Sequence, residues 1–202
     1  MLKLGVLAIQ GAVSEHVETL KLALSRLSLS GSIELVKRPS DVEKIQGIVV
    51  PGGESTVIGR IAERMGLLKV LRDKIENGLT VFGTCAGAIL LAKEVYDAKI
   101  GKVDQPLIGT MDIKIVRNYY GRQKESFEVD ILIPVVGSKP FRGVFIRAPA
   151  IESVGSKVKV LATYEGLPVL VQQDKMLAAT FHPELTNDTR IHELFIKNVL
   201  DR

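Results

Sequence analysis

Through the first half of the chain, short apolar runs alternate with amphipathic segments, and that alternation restricts the fold more than any other feature. "KLGVLAI" (3–9) is brief, continuous and followed by Gly11, the pattern of a strand covered on both faces. Residues 14–27, "SEHVETLKLALSRL", place Val17, Leu20, Leu24 and Leu27 at helical spacing behind Ser14, a residue type suited to a helix N-cap. "SIELVK" (32–37), closed by Pro39, and "GIVV" (47–50) read as further strands, and "PGGEST" turns into a helix from about Thr56. "MGLLKVLRDKIENG" (65–78) reads as a helix with Gly78 at its C-terminal cap, "LTVFG" (79–83) as a strand and "AGAILLAKEVY" (86–96) as a helix. Strands alternating with helices imply right-handed βαβ units and a mainly parallel sheet with helices on both faces.

The second half differs. "MDIKIVRN", "FEVDILIP", "GVFIRA", "KVKVLATYE", "LPVLVQQ" and "MLAATF" are strand-like runs with few helices between them, and the pairs at "TYEGLPV" and "QQDKML" read as hairpins. A helix over roughly 188–200 ends the pattern. The expectation is a three-layer α/β/α domain with added antiparallel strands, one domain over residues 1–202. A chain of this length buries roughly 70% of its unfolded surface, so it needs no disulfide or metal to hold it together.

The net charge of +4 comes without a Lys/Arg cluster, so nucleic acid is not an expected partner. No stretch approaches the roughly 20 apolar residues of a membrane span. "MLKLGVLAIQGAV" lacks a basic leader and a signal-cleavage context. One cysteine forms no internal disulfide, which fits a reducing compartment, and a cytoplasmic location is expected.

That cysteine is the strongest functional signal. Gly83-Thr84-Cys85-Ala86-Gly87 lies where a strand passes into a helix, the cysteine counterpart of the G-x-S-x-G nucleophile elbow. A tight turn there leaves no room for side chains beside the nucleophile, and the helix that follows aims N–H groups at the sulfur and at an oxyanion. An inert buried cysteine among small residues is the bland alternative.

A cysteine nucleophile usually works with a histidine. His16 and His192 each fall in an amphipathic helix, where a solvated surface position is the default. His182 instead follows a strand-like run in "LAATFHPELT", with Glu184 two residues on. In extended chain those positions face the same side, so Glu184 can orient the imidazole toward Cys85 as a triad's third member does.

Cys85 in an elbow and a distant His-x-Glu resemble the signature of the class I, triad glutamine amidotransferases. The whole chain is similar to the glutaminase subunits of pyridoxal 5′-phosphate synthases through "GVLAIQGAVSEH" (5–16), "VPGGEST" (50–56), "FGTCAGAILLAKE" (82–94), "RNYYGRQKESFE" (117–128), "GVFIRAP" (143–149) and "FHPELT" (181–186). The resemblance implies a flavodoxin-like fold and hydrolysis of L-glutamine without a cofactor or metal. It also implies transfer of the ammonia to a synthase (lyase) subunit within a large hetero-oligomer. Carried over residue by residue, Cys85 would be the nucleophile, His182 the acid/base and Glu184 its orienter. Gly53, Glu54, Ser55, Arg117, Ile146 and Arg147 would contact glutamine. Gln10 and Gly11, with Gly52 and Ala86, would serve the oxyanion and respond to the partner. Departures are small: Tyr119-Tyr120 stands where Ser-Phe is common, and Ala88 where Leu is frequent.

Chemistry agrees with that assignment without requiring it. An arginine fork suits the α-carboxylate of glutamine, but either arginine could equally be a surface residue. Gly52-Gly53 could be an ordinary turn, with Glu54 or Ser55 capping the next helix, or a close approach of backbone to ligand. Three rivals remain at this level: another amidotransferase subunit, such as one serving histidine biosynthesis; a redox sensor on the same scaffold; and a standalone cysteine hydrolase, which would leave both arginines without a task.

Overall fold

A computed structural model describes residues 1–119 and 126–201. Its first half follows the alternation: β1 (Leu2–Leu7), α1 (Val13–Arg26), β2 (Gly31–Val36), the one-turn α2 (Pro39–Val42), β3 (Gly47–Val50), α3 (Ser55–Arg64), α4 (Leu67–Glu76), β4 (Thr80–Thr84) and α5 (Ala86–Leu91). Then come β5 (Ala92–Asp97), β6 (Gly101–Lys102), β7 (Met111–Arg117), β8 (Ser126–Ile131), β9 (Phe141–Ile146), β10 (Ala150–Val154), β11 (Lys159–Tyr164), β12 (Leu167–Gln173), β13 (Met176–Ala179) and α6 (Arg190–Leu200).

The large sheet has the order β11-β12-β13-β4-β3-β1-β2. Its strands from β13 to β2 are parallel, and β12 and β11 extend it as antiparallel hairpins. Two smaller sheets, β10-β7-β5-β6 and β8-β9, lie apart from it. Both expected hairpins are therefore present.

Alternation along each parallel strand builds two cores. Leu4, Val6, Val49 and Phe82 pack with Leu20 and Leu24 of α1 and Phe195 of α6. Their neighbours Leu7, Ile48, Val50 and Val81 pack on the other side with Ile58, Leu67, Leu71 and Leu90 of α3, α4 and α5. Because successive side chains leave opposite faces and both faces are covered, these strands read as continuous apolar runs.

Several local expectations need correction. The helix expected over 86–96 ends at Leu91, and Ala92–Asp97 pairs with β7 as a strand. Ala92 and Val95 are buried there while Lys93 and Glu94 are exposed, so pairing along β7 outweighs a weak local preference for helix. Strand β10 had no counterpart in the sequence reading. Ser14 does not cap α1: the N-cap is Ala12, without a side-chain bond, and Ser14 Oγ donates instead to Glu15 Oε2 at 2.9 Å. Gly78 does close α4, at φ 98°, in a Schellman arrangement with Gly78 N–H on Ile75 O and Leu79 N–H on Lys74 O. No helix among the described residues is long and apolar enough to cross a membrane.

Candidate active site

Chemistry in an open parallel sheet collects beyond the carboxyl ends of its strands. The segments after β1, β3, β4 and β13 carry Gln10, Gly52–Ser55, Cys85 and His182, all on that edge.

Cys85 sits between β4 and α5 at φ 47°, ψ −104°, a conformation costly for a residue with a side chain and found at functional turns. The elbow is held by contact. A Cβ on Gly87 would collide with the Val50 carbonyl, and one on Gly83 would stand 2.6 Å from the Gly87 backbone. Only glycine lets α5 return so tightly over the sheet. Cys85 is 7% exposed, and its Sγ lies 3.9 Å from Ile146 O. Ala86 is the first residue of α5, where a helix presents N–H groups without intrahelical partners.

His182 is fixed from two directions. Its backbone N–H donates to Val144 O at 2.8 Å, and its Nδ1 lies 2.7 Å from Glu184 Oε1. The link does not run through extended chain as expected. His182 precedes a 3₁₀ turn, Pro183–Leu185, with proline at its first position, and that turn folds Glu184 back beneath the imidazole. The ring also faces the Cys85 sulfur across the cavity they share. With Nδ1 committed to Glu184, Nε2 is the nitrogen left for it. Burial alone would lower the His182 pKa, but hydrogen bonding and charge attraction from Cys85 and Glu184 outweigh it and raise the value to about 10.

Cys85 and His182 open onto a cavity of about 240 Å³ whose wall includes Gly53, Glu54, Ser55, Arg117, Ile146 and Arg147. All six residues expected to contact glutamine therefore reach one space. Arg117, at the end of β7, is half-buried: its Nη1 donates to Gln105 Oε1 at 2.6 Å and Thr56 Oγ1 at 2.8 Å, and its Nη2 is 3.8 Å from Glu54 Oε1. Arg147, just beyond β9, is exposed and has φ 46°. Glu54 is the N-cap of α3, its carboxylate accepting from Thr56 N–H at 3.3 Å.

Gln10 and Gly11 lie against the same loop. Gln10 Oε1 accepts from Glu54 N–H at 2.8 Å, and Ala12 N–H donates to Gly52 O at 3.0 Å. Gly52 has a different part from the expected oxyanion donor. Its N–H donates to Thr84 Oγ1 at 3.1 Å, and a Cβ there would strike the His182 ring. Its missing side chain makes room for the imidazole.

Ile89 and Asn118 also line the cavity, and Gln105 holds Arg117, yet none was singled out from sequence. Asn118, at φ 55° and donating to Asp97 Oδ2 at 2.7 Å, carried a weak signal as the residue following the arginine. Gln105 carried none. Tyr119 is described and Tyr120 lies outside the described residues, as does the rest of that motif to residue 125.

The largest surprise is behind the triad. His16 and His192, expected at the surface, are both fully buried, with His16 Nδ1 3.0 Å from His192 Nε2. Burial, then the charges of His192 and His182, hold the His16 pKa well below the ordinary value, and burial lowers that of His192 to about 3. The signal was present: His16 stands four residues before Leu20, and His192 three and four before Phe195 and Ile196, on the apolar stripes of their helices.

Comparison with known proteins gives the chain's family. A pyridoxal 5′-phosphate synthase subunit PdxT from Sulfolobus acidocaldarius is 54% identical over 198 residues, covering 98% of this chain and 99% of that one. The protein of the same name from Saccharolobus solfataricus is 53% identical over 195 residues, covering 96% and 98%. A crystal structure described as a glutamine amidotransferase superposes with a TM-score of 0.85 at 45% identity, covering 97% of this chain and 98% of that one. A structure of PurLQS from Thermotoga maritima, 13% identical with a TM-score of 0.61 over 97% of this chain and 98% of that one, shares the fold. The family model for the SNO glutamine amidotransferases matches residues 6–201, and the chain belongs to that family.

Proposed function

We propose that this chain is the glutaminase subunit of a cytoplasmic pyridoxal 5′-phosphate synthase, acting as one unit over residues 1–202. It hydrolyses L-glutamine to L-glutamate and ammonia. A separate synthase subunit then uses the ammonia to build the vitamin B6 ring from a pentose phosphate and a triose phosphate. The observation that carries this reading is the meeting of Cys85, His182 and Glu184 at the cavity bearing Arg117 and Arg147.

Arg117 is half-buried and held by Gln105 and Thr56, so it presents an ordered guanidinium to the glutamine α-carboxylate, with Arg147 beside it. That leaves the side-chain amide toward Cys85. The thiolate attacks the amide carbon, and the oxyanion takes a hydrogen bond from Ala86 N–H and from Gly53 N–H, since Gly52 N–H is committed to Thr84. His182, held protonated by its neighbours, gives its Nε2 proton to the departing nitrogen as the C–N bond breaks. Ammonia leaves and a thioester remains. Neutral His182 then takes a proton from water, hydroxide adds to the thioester, and C–S cleavage releases glutamate and restores the thiolate. Glu184 keeps the ring aligned through both halves.

Ammonia released into water would be protonated and lost as a nucleophile, which favours direct delivery to a docked synthase subunit within a hetero-oligomer. The exposed Gln10–Gly11 segment touches the Gly52–Glu54 loop, so a partner seated there would act on the cavity wall. The test is ammonia release from L-glutamine by the purified chain, with and without the synthase subunit. Release that needs the partner and vanishes in Cys85→Ala is expected. No release in either condition would overturn the reading.

A further inference from the structure

Glu184 has two carboxylate oxygens, and the triad uses one. Oε1 faces His182. Oε2 is fully buried and makes no closer hydrogen bond among the described residues than its 3.4 Å approach to His16 Nε2. A buried carboxylate oxygen without a donor is costly. His16 Nε2 is also 3.0 Å from Thr84 Oγ1, the hydroxyl that accepts the Gly52 N–H.

The tautomers follow from what each nitrogen faces. His192 Nδ1 has no hydrogen-bond partner among the described residues, and a bare lone pair there costs less than an orphaned N–H. The His192 proton therefore sits on Nε2 and donates to His16 Nδ1, 3.0 Å away. With Nδ1 accepting, neutral His16 carries its proton on Nε2, pointing at Glu184 and Thr84. The donors in the chain from α6 through α1 thus run toward Thr84 and the catalytic carboxylate.

We propose that His16 is a positioning residue for the triad, its Nε2–H, set by His192, donating to the rear oxygen of Glu184 and so keeping that carboxylate aligned on His182. The contact is long at rest, as such contacts often are before they tighten in the transition state. The groups facing Glu184 are His182 from its own turn and His16 from α1, with Cys85 beyond His182 and His192 of α6 beyond His16. Glu15 and Glu18 of α1 border the groove on its outer side.

The inference rests on the glutaminase reading, and its test separates the two. His16→Phe removes the donor and keeps a ring; His16→Gln restores an N–H near the Nε2 position. Glutaminase activity is measured with the synthase subunit present across pH 5–9, and the His182 ring is titrated by ¹⁵N NMR in the same full-length chains. In His16→Phe, kcat is expected to fall about 10- to 100-fold, the worth of one hydrogen bond to a charged group, with KM unchanged. The His182 titration should move down, because a carboxylate that has lost its alignment supports the imidazolium less well. His16→Gln should recover most of both effects. Unchanged kcat and an unmoved His182 titration in His16→Phe would overturn the proposal. So would equal losses in both variants with the His182 titration unmoved, which would mark a packing role. If the unmodified chain releases no ammonia, the glutaminase reading falls. The His182 titration still decides the positioning role: a shift in His16→Phe, reversed in His16→Gln, supports it, and no shift refutes it.

Discussion

Lowering the pH from 7 to 5 should destabilise this protein through its histidines alone, by about 1 kcal/mol or more. A histidine in the unfolded chain titrates near 6.5. Folded His192 titrates at about 3, and folded His16 is also held well below the ordinary value. Both contributions are complete above pH 6.5 and are lost as pH falls, because the unfolded state binds protons the folded state refuses. Over this interval His192 costs about 2 kcal/mol, and His16 adds a loss of the same sign. His182 has the opposite sign. Its folded pKa is raised to about 10, so its contribution is fully present below 6.5 and is lost as pH rises toward 10; between pH 7 and 5 it returns about 1 kcal/mol. The lowered carboxylates, Asp41, Asp97 and Asp188, matter only below about pH 5, near and under their unfolded values. The balance of His192 and His182 is a net loss of about 1 kcal/mol, to which His16 adds, against a typical 5–15 kcal/mol. The assay is urea unfolding at pH 7, 6 and 5, followed by far-ultraviolet circular dichroism because the chain has no tryptophan. His192→Gln keeps a donor toward His16 and removes one titrating group, so its loss should be smaller by about 2 kcal/mol. A flat wild-type profile, or an equal fall in the variant, would refute the reasoning.

Two further substitutions probe the elbow and the substrate anchor. Gly87→Ala forces α5 away from the Val50 carbonyl, and should cost about 1–3 kcal/mol in unfolding experiments while reducing glutaminase turnover more than 100-fold (about 3 kcal/mol); near-normal turnover would show that the tight turn is dispensable. Arg117→Met should raise KM for glutamine about 10-fold or more with a smaller effect on kcat, the pattern of lost ground-state binding; steady-state kinetics with the synthase subunit present would show it.

Legibility from sequence tracked how local each determinant was. The parallel strands were readable because burial on both faces makes them continuous apolar runs, as in Ile48–Val50 beneath two different cores. Cys85 was readable because its elbow is written in five consecutive residues. Ala92–Asp97 was misread as helix because its strand exists only through pairing with β7, a partner brought up by later chain. Gln105 was invisible for the same reason: its Oε1 is defined by Arg117 and Thr56, and nothing beside it in sequence announces them.

His16 and His192 show a different failure. Their positions on apolar stripes announced burial, yet residue type was weighed above pattern, and histidine defaulted to the surface. Periodicity is the stronger witness, since a stripe position is buried whatever occupies it, whereas an ionisable residue placed there must be neutralised or paired. A histidine on a stripe therefore asks what it is paired with. Here the chain of contacts leads from α6 through α1 to Thr84, one residue before the nucleophile, and to the carboxylate behind His182. Leucine at either position would pack at no polar cost. Two polar rings in its place, bonded to each other and to Thr84 and lying behind one carboxylate, are accounted for in the positioning proposal by what they do to that carboxylate rather than by the core they fill.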